Sequence, residues 1–443
     1  MGSLSEVDAF LKRYPDVAGI DVILTDAHGI GRGKIIRRHE LAGLYRDGRG
    51  MPDTLFAQDV TGDDVDAVLP LFSDGGGDCR CVPVPGTLGF LPATGRGIVL
   101  VTMRDAGGSP HHSDPRAALI RQVDRARSAG FSPMGAMELE FYLLDAQSPR
   151  EPASAPLTGR RPVTTNTMSV DELDEMSPFF DAVYAGAEAL NLPFEALISE
   201  YGRGQYELTL RYGPLDRAAD DIILAKRLIR TTARRYGMEA CFMAKPFGHM
   251  SGSGMHLHLS LADAAGDNLF ADGADGGLAP AMLHAIGGIR GQIREAMLII
   301  APFLNSWRRF SSATYSPAET TWGREDRNVA LRVPQGAPAT RHFEQRLGGV
   351  DANPYLLAAV TLGAALDGIA AKTDPGAEGI SDDVPALPTS WGEAIEAFAA
   401  SDAMRRHLGD RLHTGFTAIK RAEYDRLARE VTDVEWRYYG FNV

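Results

Sequence analysis

"AMELEFYLLD", residues 136–145, sets Glu138 and Glu140 two apart inside an otherwise apolar run. In a strand, side chains alternate between faces, so both carboxylates point the same way. Two like charges on one face of a buried strand are costly unless something neutralises them. A solvent-facing edge fits poorly beside Phe141, Tyr142, Leu143 and Leu144. The stretch therefore reads as a sheet strand that carries a charged site on one face.

Other segments supply partners for it. "GSGMHLHLSL" (252–261) aims His256 and His258 at one spot behind a loop that Gly252 and Gly254 leave almost bare. "SEYGRGQYELTL" (199–210) adds Glu200 and Glu207, and "RHFEQRL" (341–347) adds Glu344 between Arg341 and Arg346. Each acid alone reads as structural. Five acids in such settings with His256 read as a divalent-metal site, and hard oxygen donors with one imidazole suit Mg²⁺ or Mn²⁺ better than zinc.

Composition narrows the class of protein. At 443 residues the chain exceeds what one compact core usually serves, so two domains are expected. The apolar share of 44% and charged share of 23% are ordinary for a globular protein. A net charge of −13 speaks against nucleic acid and anionic membranes as partners. Cys79, Cys81 and Cys241 are too few for a disulfide framework and fit a reducing cytosol. Cys79 and Cys81 form a CxC without a second pair, so no zinc site is expected there. There is no apolar run of membrane-span length and no basic-then-apolar leader, and the expected location is cytoplasmic.

Along the chain the pattern is mixed α and β without internal repeats. Residues 1–14 read as an amphipathic helix and 19–36 as a hairpin turning around Asp26–Gly29. Asp114 as N-cap, Pro115 at the first helical position and Gly130 as the stop frame a further helix. The domain boundary is expected near 105–113, and long helices over 218–236, 280–300, 354–372 and 412–430.

From about residue 19 to 372 the sequence resembles the glutamine synthetase family. The likeness rests on "DVILTDAHGIGRGK", "ELEFYLLD", "SEYGRGQYE", "FMAKPFGHMSGSGMHLHLS", "NSWRRF", "RNVALRVP", "FEQR" and "DANPYL", in the family's order. It implies an α+β fold: a small β-grasp N-terminal domain (15–106) and a large catalytic domain (107–443) on a curved antiparallel sheet. It also implies active sites between subunits of a hexameric ring or two stacked hexamers. By the resemblance, Glu140, Glu200 and Glu207 hold a metal beside the substrate glutamate, and Glu138, His256 and Glu344 one that bridges the ATP phosphates. His258, Glu195, Ser260 and Arg341 would contact the nucleotide. Gly252, Arg309 and Arg346 would hold glutamate, and Arg327 and Arg332 the transferred phosphoryl group. The implied cofactors are ATP and two or more Mg²⁺ or Mn²⁺ ions.

Departures from the family's pattern point at the acceptor. "SSATYSPAE" puts Tyr315 where ammonia-using members carry a flap glutamate, and Met168 in "NTMSVDEL" replaces a pocket tyrosine. "DTLFAQDVTG" replaces a small-residue stretch, Ser251 stands for an asparagine, and His342 for an arginine. Tyrosine, with a reference pKa of about 10, is a poor base at neutral pH. The expected reaction joins glutamate to a primary amine through γ-glutamyl phosphate, and the phrases look closest to the γ-glutamylpolyamine synthetase branch. The amine is then a polyamine such as putrescine or an alkyl or aryl monoamine, with Asp59, Trp307 and Tyr315 as candidates for a distal ammonium. The alternatives are a true glutamine synthetase and a non-catalytic homologue acting as a scaffold.

Overall fold

The computed structural model describes residues 3–72, 77–273, 276–310, 316–380, 382–384 and 386–443. Tyr315 lies outside the described residues.

Two sheets organise the chain. The first uses β1 (Gly19–Thr25), β2 (Gly31–Arg37), β3 (Arg49–Pro52), β4 (Asp78–Pro83), β5 (Gly89–Leu91) and β6 (Arg96–Arg104). Its order is β2-β1-β6-β4-β3, with β5 also paired to β6. The β1–β2 hairpin forms where the sequence places it, closing through Asp26, whose carboxylate accepts from the amides of His28 and Ile30 (both 2.9 Å). β1 then runs parallel to β6, which requires the long crossover between them.

The second sheet comprises β7 (Ser132–Asp145), β8 (Phe194–Ser199), β9 (Gln205–Leu210), β10 (Gly213–Pro214), β11 (Met238–Cys241), β12 (Leu257–Ala262), β13 (Trp322–Arg324), β14 (Leu331–Val333) and β15 (Phe343–Gln345). Its path is β13-β14-β15-β12-β7-β9-β8, and β10 and β11 also pair with β7. Pairing is antiparallel except between β13 and β14, which run parallel, so the expected antiparallel sheet is a mixed one. The long strand β7 shows why it sits at the centre. Met137, Leu139, Phe141 and Leu143 are buried on one face, while Ala136, Glu138 and Glu140 are half-buried on the other.

The expected long helices are Leu215–Arg235, Pro280–Ile300, Pro354–Ala371 and Asp410–Ala428. The helix Pro115–Ser128 starts under the Asp114 side chain, which accepts from the Arg116 amide, and Gly130 follows its end at φ 84°. Pro354–Ala371 is apolar and long enough to cross a membrane, yet it is buried in the core against Pro280–Ile300 and Pro115–Ser128.

Two apolar cores result, and they interlock. The larger one, beneath the second sheet, takes in Ile98 and Leu100 from β6. The smaller one, under the first sheet, includes Ile419 from the helix Asp410–Ala428. The next residue on that helix, Lys420, is fully buried. It donates to Glu423 (2.8 Å) and lies 4.1 Å from the Phe303 ring centre. Glu423 also meets His28 Nε2 (2.7 Å) and accepts from the Val60 amide (2.8 Å). Burial raises the Glu423 pKa, but Lys420 and His28 override it and bring the group to about 2.

Ile419→Ala should therefore cost about 2–5 kcal/mol locally. Hydrogen exchange should quicken in 19–68 and 410–428 before it does in the helix Pro354–Ala371.

Candidate active site

Cross-strand register builds the site. Glu140 on β7 stands directly opposite Glu207 on β9. His258 on β12 stands opposite Glu344 on β15, and Arg332 on β14 stands opposite the same Glu344. Directly opposed like charges destabilise a sheet, and opposed unlike charges support it. The sheet thus carries an ion-paired end and an end with an excess of negative charge.

These residues meet in a cavity of about 540 Å³ lined by Glu138, Glu140, Glu200, Glu207, His256 and Glu344, together with Arg309, Arg327, Arg332 and Arg346. Gly252 and Met168 also line it. At the ion-paired end Glu138 meets His256 Nδ1 (2.8 Å) and His258 Nε2 (3.0 Å). His256 Nδ1 also lies 3.3 Å from Glu344, which accepts from Arg332 (3.1 Å) and from Arg346. Burial raises the Glu138 pKa, yet the two histidine contacts hold it well below the usual carboxylate range. At the other end Glu207 is pushed up to about 10, first by burial and then by Glu138, Glu140, Glu200 and Glu344. Glu200 is raised too, by burial and by Glu140.

That imbalance is the test of fit for a metal. A buried carboxyl surrounded by carboxylates keeps its proton only for want of a cation. Oxygen donors with imidazole match Mg²⁺ or Mn²⁺. Glu138, His258 and Glu344 offer ligand atoms within 4.8 Å of one another, and His256 touches both of those acids. For anions, buried Nε atoms of Arg332 and Arg346 have no hydrogen-bond partner among the described residues.

A smaller, more apolar pocket of about 290 Å³ adjoins this cavity and shares Glu138 and Thr209 with it. His258 and Ser260 line it, as do Met134, Leu210, Tyr212 and His342. The His342 ring lies 5.0 Å from that of His258, in the place where the sequence reading sought an arginine.

Of the other expected residues, several lie outside the cavity, whereas Arg309 lines it while bonded to backbone carbonyls. Glu195 is exposed on β8 and lines neither pocket. Arg341 is tied to both Asp272 oxygens and to the Pro334 carbonyl. Trp307 donates its indole N–H to Ala301 (3.1 Å) and packs against the core. Arg309 is buried, donating to the carbonyls of Leu347 (2.8 Å) and Arg346 (3.2 Å). Asp59 is buried and paired with Arg426 and Thr61.

Sequence reasoning missed Gln205. Its amide donates to Glu140 (3.3 Å), to the Gly252 carbonyl (2.9 Å) and to Ser253 (3.2 Å), which fixes the glycine loop against the acids. The available signal was its place two residues before Glu207, on the same strand face.

The pattern "Glutamine synthetase, catalytic domain" matches residues 112–439. The chain belongs to the glutamine synthetase family. It is a carbon–nitrogen ligase, and enzymes of this family use ATP and divalent metals. It is 35% identical to gamma-glutamylputrescine synthetase PuuA of Escherichia coli strain K12, over 97% of this chain and 94% of the relative. It is 32% identical to glutamate–isopropylamine ligase of a Pseudomonas species, over 84% and 82%. Among solved structures, a GmaS/ADP complex superposes with TM-score 0.84 at 26% identity, covering 99% of each chain.

The Glu207 environment gives a signed pH prediction for this ligase. A carboxyl raised from the usual 4.5 to about 10 binds its proton in the folded state and loses it on unfolding. Without metal, the stability contributed here should fall as pH rises from about 5 to 9. Saturating Mn²⁺ should remove the trend, because the carboxylate is then ionised in both states, so the Mn²⁺-induced rise in Tm should grow with pH. Glu207→Gln should flatten both curves, as read by scanning calorimetry.

Proposed function

We propose that this chain condenses glutamate with a primary alkyl amine, driven by ATP, through γ-glutamyl phosphate. The observation that carries the reading is the non-acidic wall of the cavity. Met168, Thr167, Ile198 and Tyr201 line it there. Met168 is held at φ 59° with its amide bonded to the Ser199 carbonyl (2.8 Å). Ammonium needs carboxylates that bind it and take its proton, and the described residues of this wall supply none. The relatives named for putrescine and isopropylamine support an amine larger than ammonia.

Each residue then has a role set by its position. Glu140, Glu200 and Glu207 would hold the metal beside the glutamate side chain. Glu138, His256 and Glu344 would hold the one beside the nucleotide phosphates. Such ions supply screening between anionic substrates and charge stabilisation at the phosphoryl group. Arg309, Arg346 and the Gly252 backbone face the amino-acid end. Arg327 and Arg332 face the phosphoryl group, where planar guanidinium suits an oxyanion. The apolar pocket beside His258 and Ser260 takes the nucleoside.

In the first step a γ-carboxylate oxygen of glutamate attacks the terminal phosphorus and ADP leaves. In the second the amine nitrogen attacks the acyl carbon, phosphate departs, and the nitrogen's proton goes with it.

An uncharged amine substituent is favoured over a distal ammonium. Asp59 is occupied by Arg426, and neither it nor Trp307 lines the cavity, so neither of these candidates is placed to receive one. Burying about 100 Å² of alkyl surface would contribute roughly 2.5 kcal/mol, a preference on the order of tens-fold.

Two measurements test this. ADP release should be highest in kcat/KM for isopropylamine or a similar alkylamine, lower for putrescine and lowest for ammonia at equal free-base concentration. Should putrescine lead, the substituent argument fails and γ-glutamylation stands; should ammonia lead, the acceptor reading fails altogether. Separately, Glu140→Ala or Glu207→Ala should lower kcat by at least 100-fold at saturating Mn²⁺. Activity within about twofold of the parent would remove these acids from the metal's ligand set.

A further inference from the structure

Three segments meet at one end of the first sheet, away from the ligase cavity. Cys79 lies on β4 opposite Met51 of β3, and Asp53 follows two residues after Met51. On the other side of β4, the His111 amide donates to the Met103 carbonyl of β6 (2.9 Å). This topology draws one carboxylate, one thiol and one imidazole together, each with a ligand atom within 4.8 Å of the others.

The surroundings are built rather than incidental. Asp53 and His111 are 6% and 2% exposed. The His111 ring is stacked between Phe56 (5.4 Å) and His112 (4.2 Å), which fixes its plane. Cys79 is half-buried and lines a cavity of about 570 Å³, which gives an ion a way in. Asp78 and Asp105 stand near enough to Cys79 to add negative charge around it. None of the three residues lines the ligase cavity.

We propose that Asp53, Cys79 and His111 form a zinc site that ties the β3–β4–β6 end of the first sheet to the segment after β6. Sulfur, nitrogen and oxygen donors from three residues are a zinc donor set, whereas the ligase cavity offers almost only oxygen. Tetrahedral zinc holds sulfur and nitrogen ligands about 3.5 Å apart, so roughly 1 Å of side-chain movement closes the site. The fourth position is left to water.

Binding balances simply. The Cys79 thiol gives its proton to solvent and coordinates as thiolate. The Ser113 amide donates to His111 Nδ1 at 3.2 Å. That long contact is surrendered as the ring proton moves to Nδ1 and the ion takes Nε2. The CxC spacing of Cys79 and Cys81 is not the motif, because Cys81 takes no part in the cluster. The ligands are gathered by the sheet rather than by sequence spacing.

The test uses the full-length protein, stripped of metal and then saturated with Mn²⁺ so that the ligase cavity is filled. Titration with Co²⁺ should produce a near-ultraviolet sulfur-to-cobalt charge-transfer band with one equivalent bound. Zn²⁺ should bleach it. The band should vanish in Cys79→Ser and persist in Cys81→Ser and Cys241→Ser, with the Cys79→Ser protein still folded by circular dichroism. Asp53→Asn should weaken Co²⁺ affinity at least tenfold while keeping the band. Absence of the band in the parent protein, or its survival in Cys79→Ser, would overturn the site.

Discussion

The opposition of Glu140 and Glu207 across two hydrogen-bonded strands governs the rest of the molecule. A sheet built for stability alone would not place a buried carboxylate face to face with a half-buried one. The surrounding elements are arranged so that it can. Apolar residues on the opposite face of β7 hold the strand in the core. Gln205 and the Gly254 amide (2.8 Å) each give Glu140 a hydrogen bond. The charge that remains is left for a cation to neutralise, and stability at this point is exchanged for affinity.

The arginines divide the same field differently. Arg346 and Arg332 share Glu344, so their positive charge is partly spent at the sheet's ion-paired end. Their Nε groups remain without partners among the described residues. The acids thus concentrate negative charge, and the arginines positive charge, around the same space. Both sets are fixed by strand register within one cavity, which suits a reaction that must bring several anions into contact. The neighbouring apolar pocket is joined to it through Glu138 and Thr209, so the two share a wall.

Much of this arrangement was legible in the sequence, for definite reasons. Period-two spacing placed Glu138 with Glu140 along β7, and it paired His256 with His258, which both meet Glu138 although His256 stands just before β12. Asp114, Pro115 and Gly130 framed a helix by local chemistry alone, and the structure obeys them. What could not be read was pairing between distant strands. The parallel β13–β14 pair, the direct opposition of Glu140 and Glu207, and the meeting of Asp53, Cys79 and His111 all depend on register that no local pattern encodes. The ties of Trp307 to Ala301 and of Arg341 to Asp272 were hidden for the same reason. Gln205 was passed over because an amide beside several acids looks unremarkable until its three acceptors are in place.

The helix Asp410–Ala428 closes the core beneath a sheet whose last strand ends at Arg104. The first sheet is therefore made about 300 residues before the segment that supplies Ile419, Lys420 and Glu423. At translation rates of roughly 5–20 residues per second, that interval lasts on the order of 15–60 s. Throughout it, the apolar underside of β1 and β6 and the imidazole of His28 lack their partners from the end of the chain. The nascent polypeptide thus carries an unfinished surface for most of its synthesis, a natural foothold for chaperones.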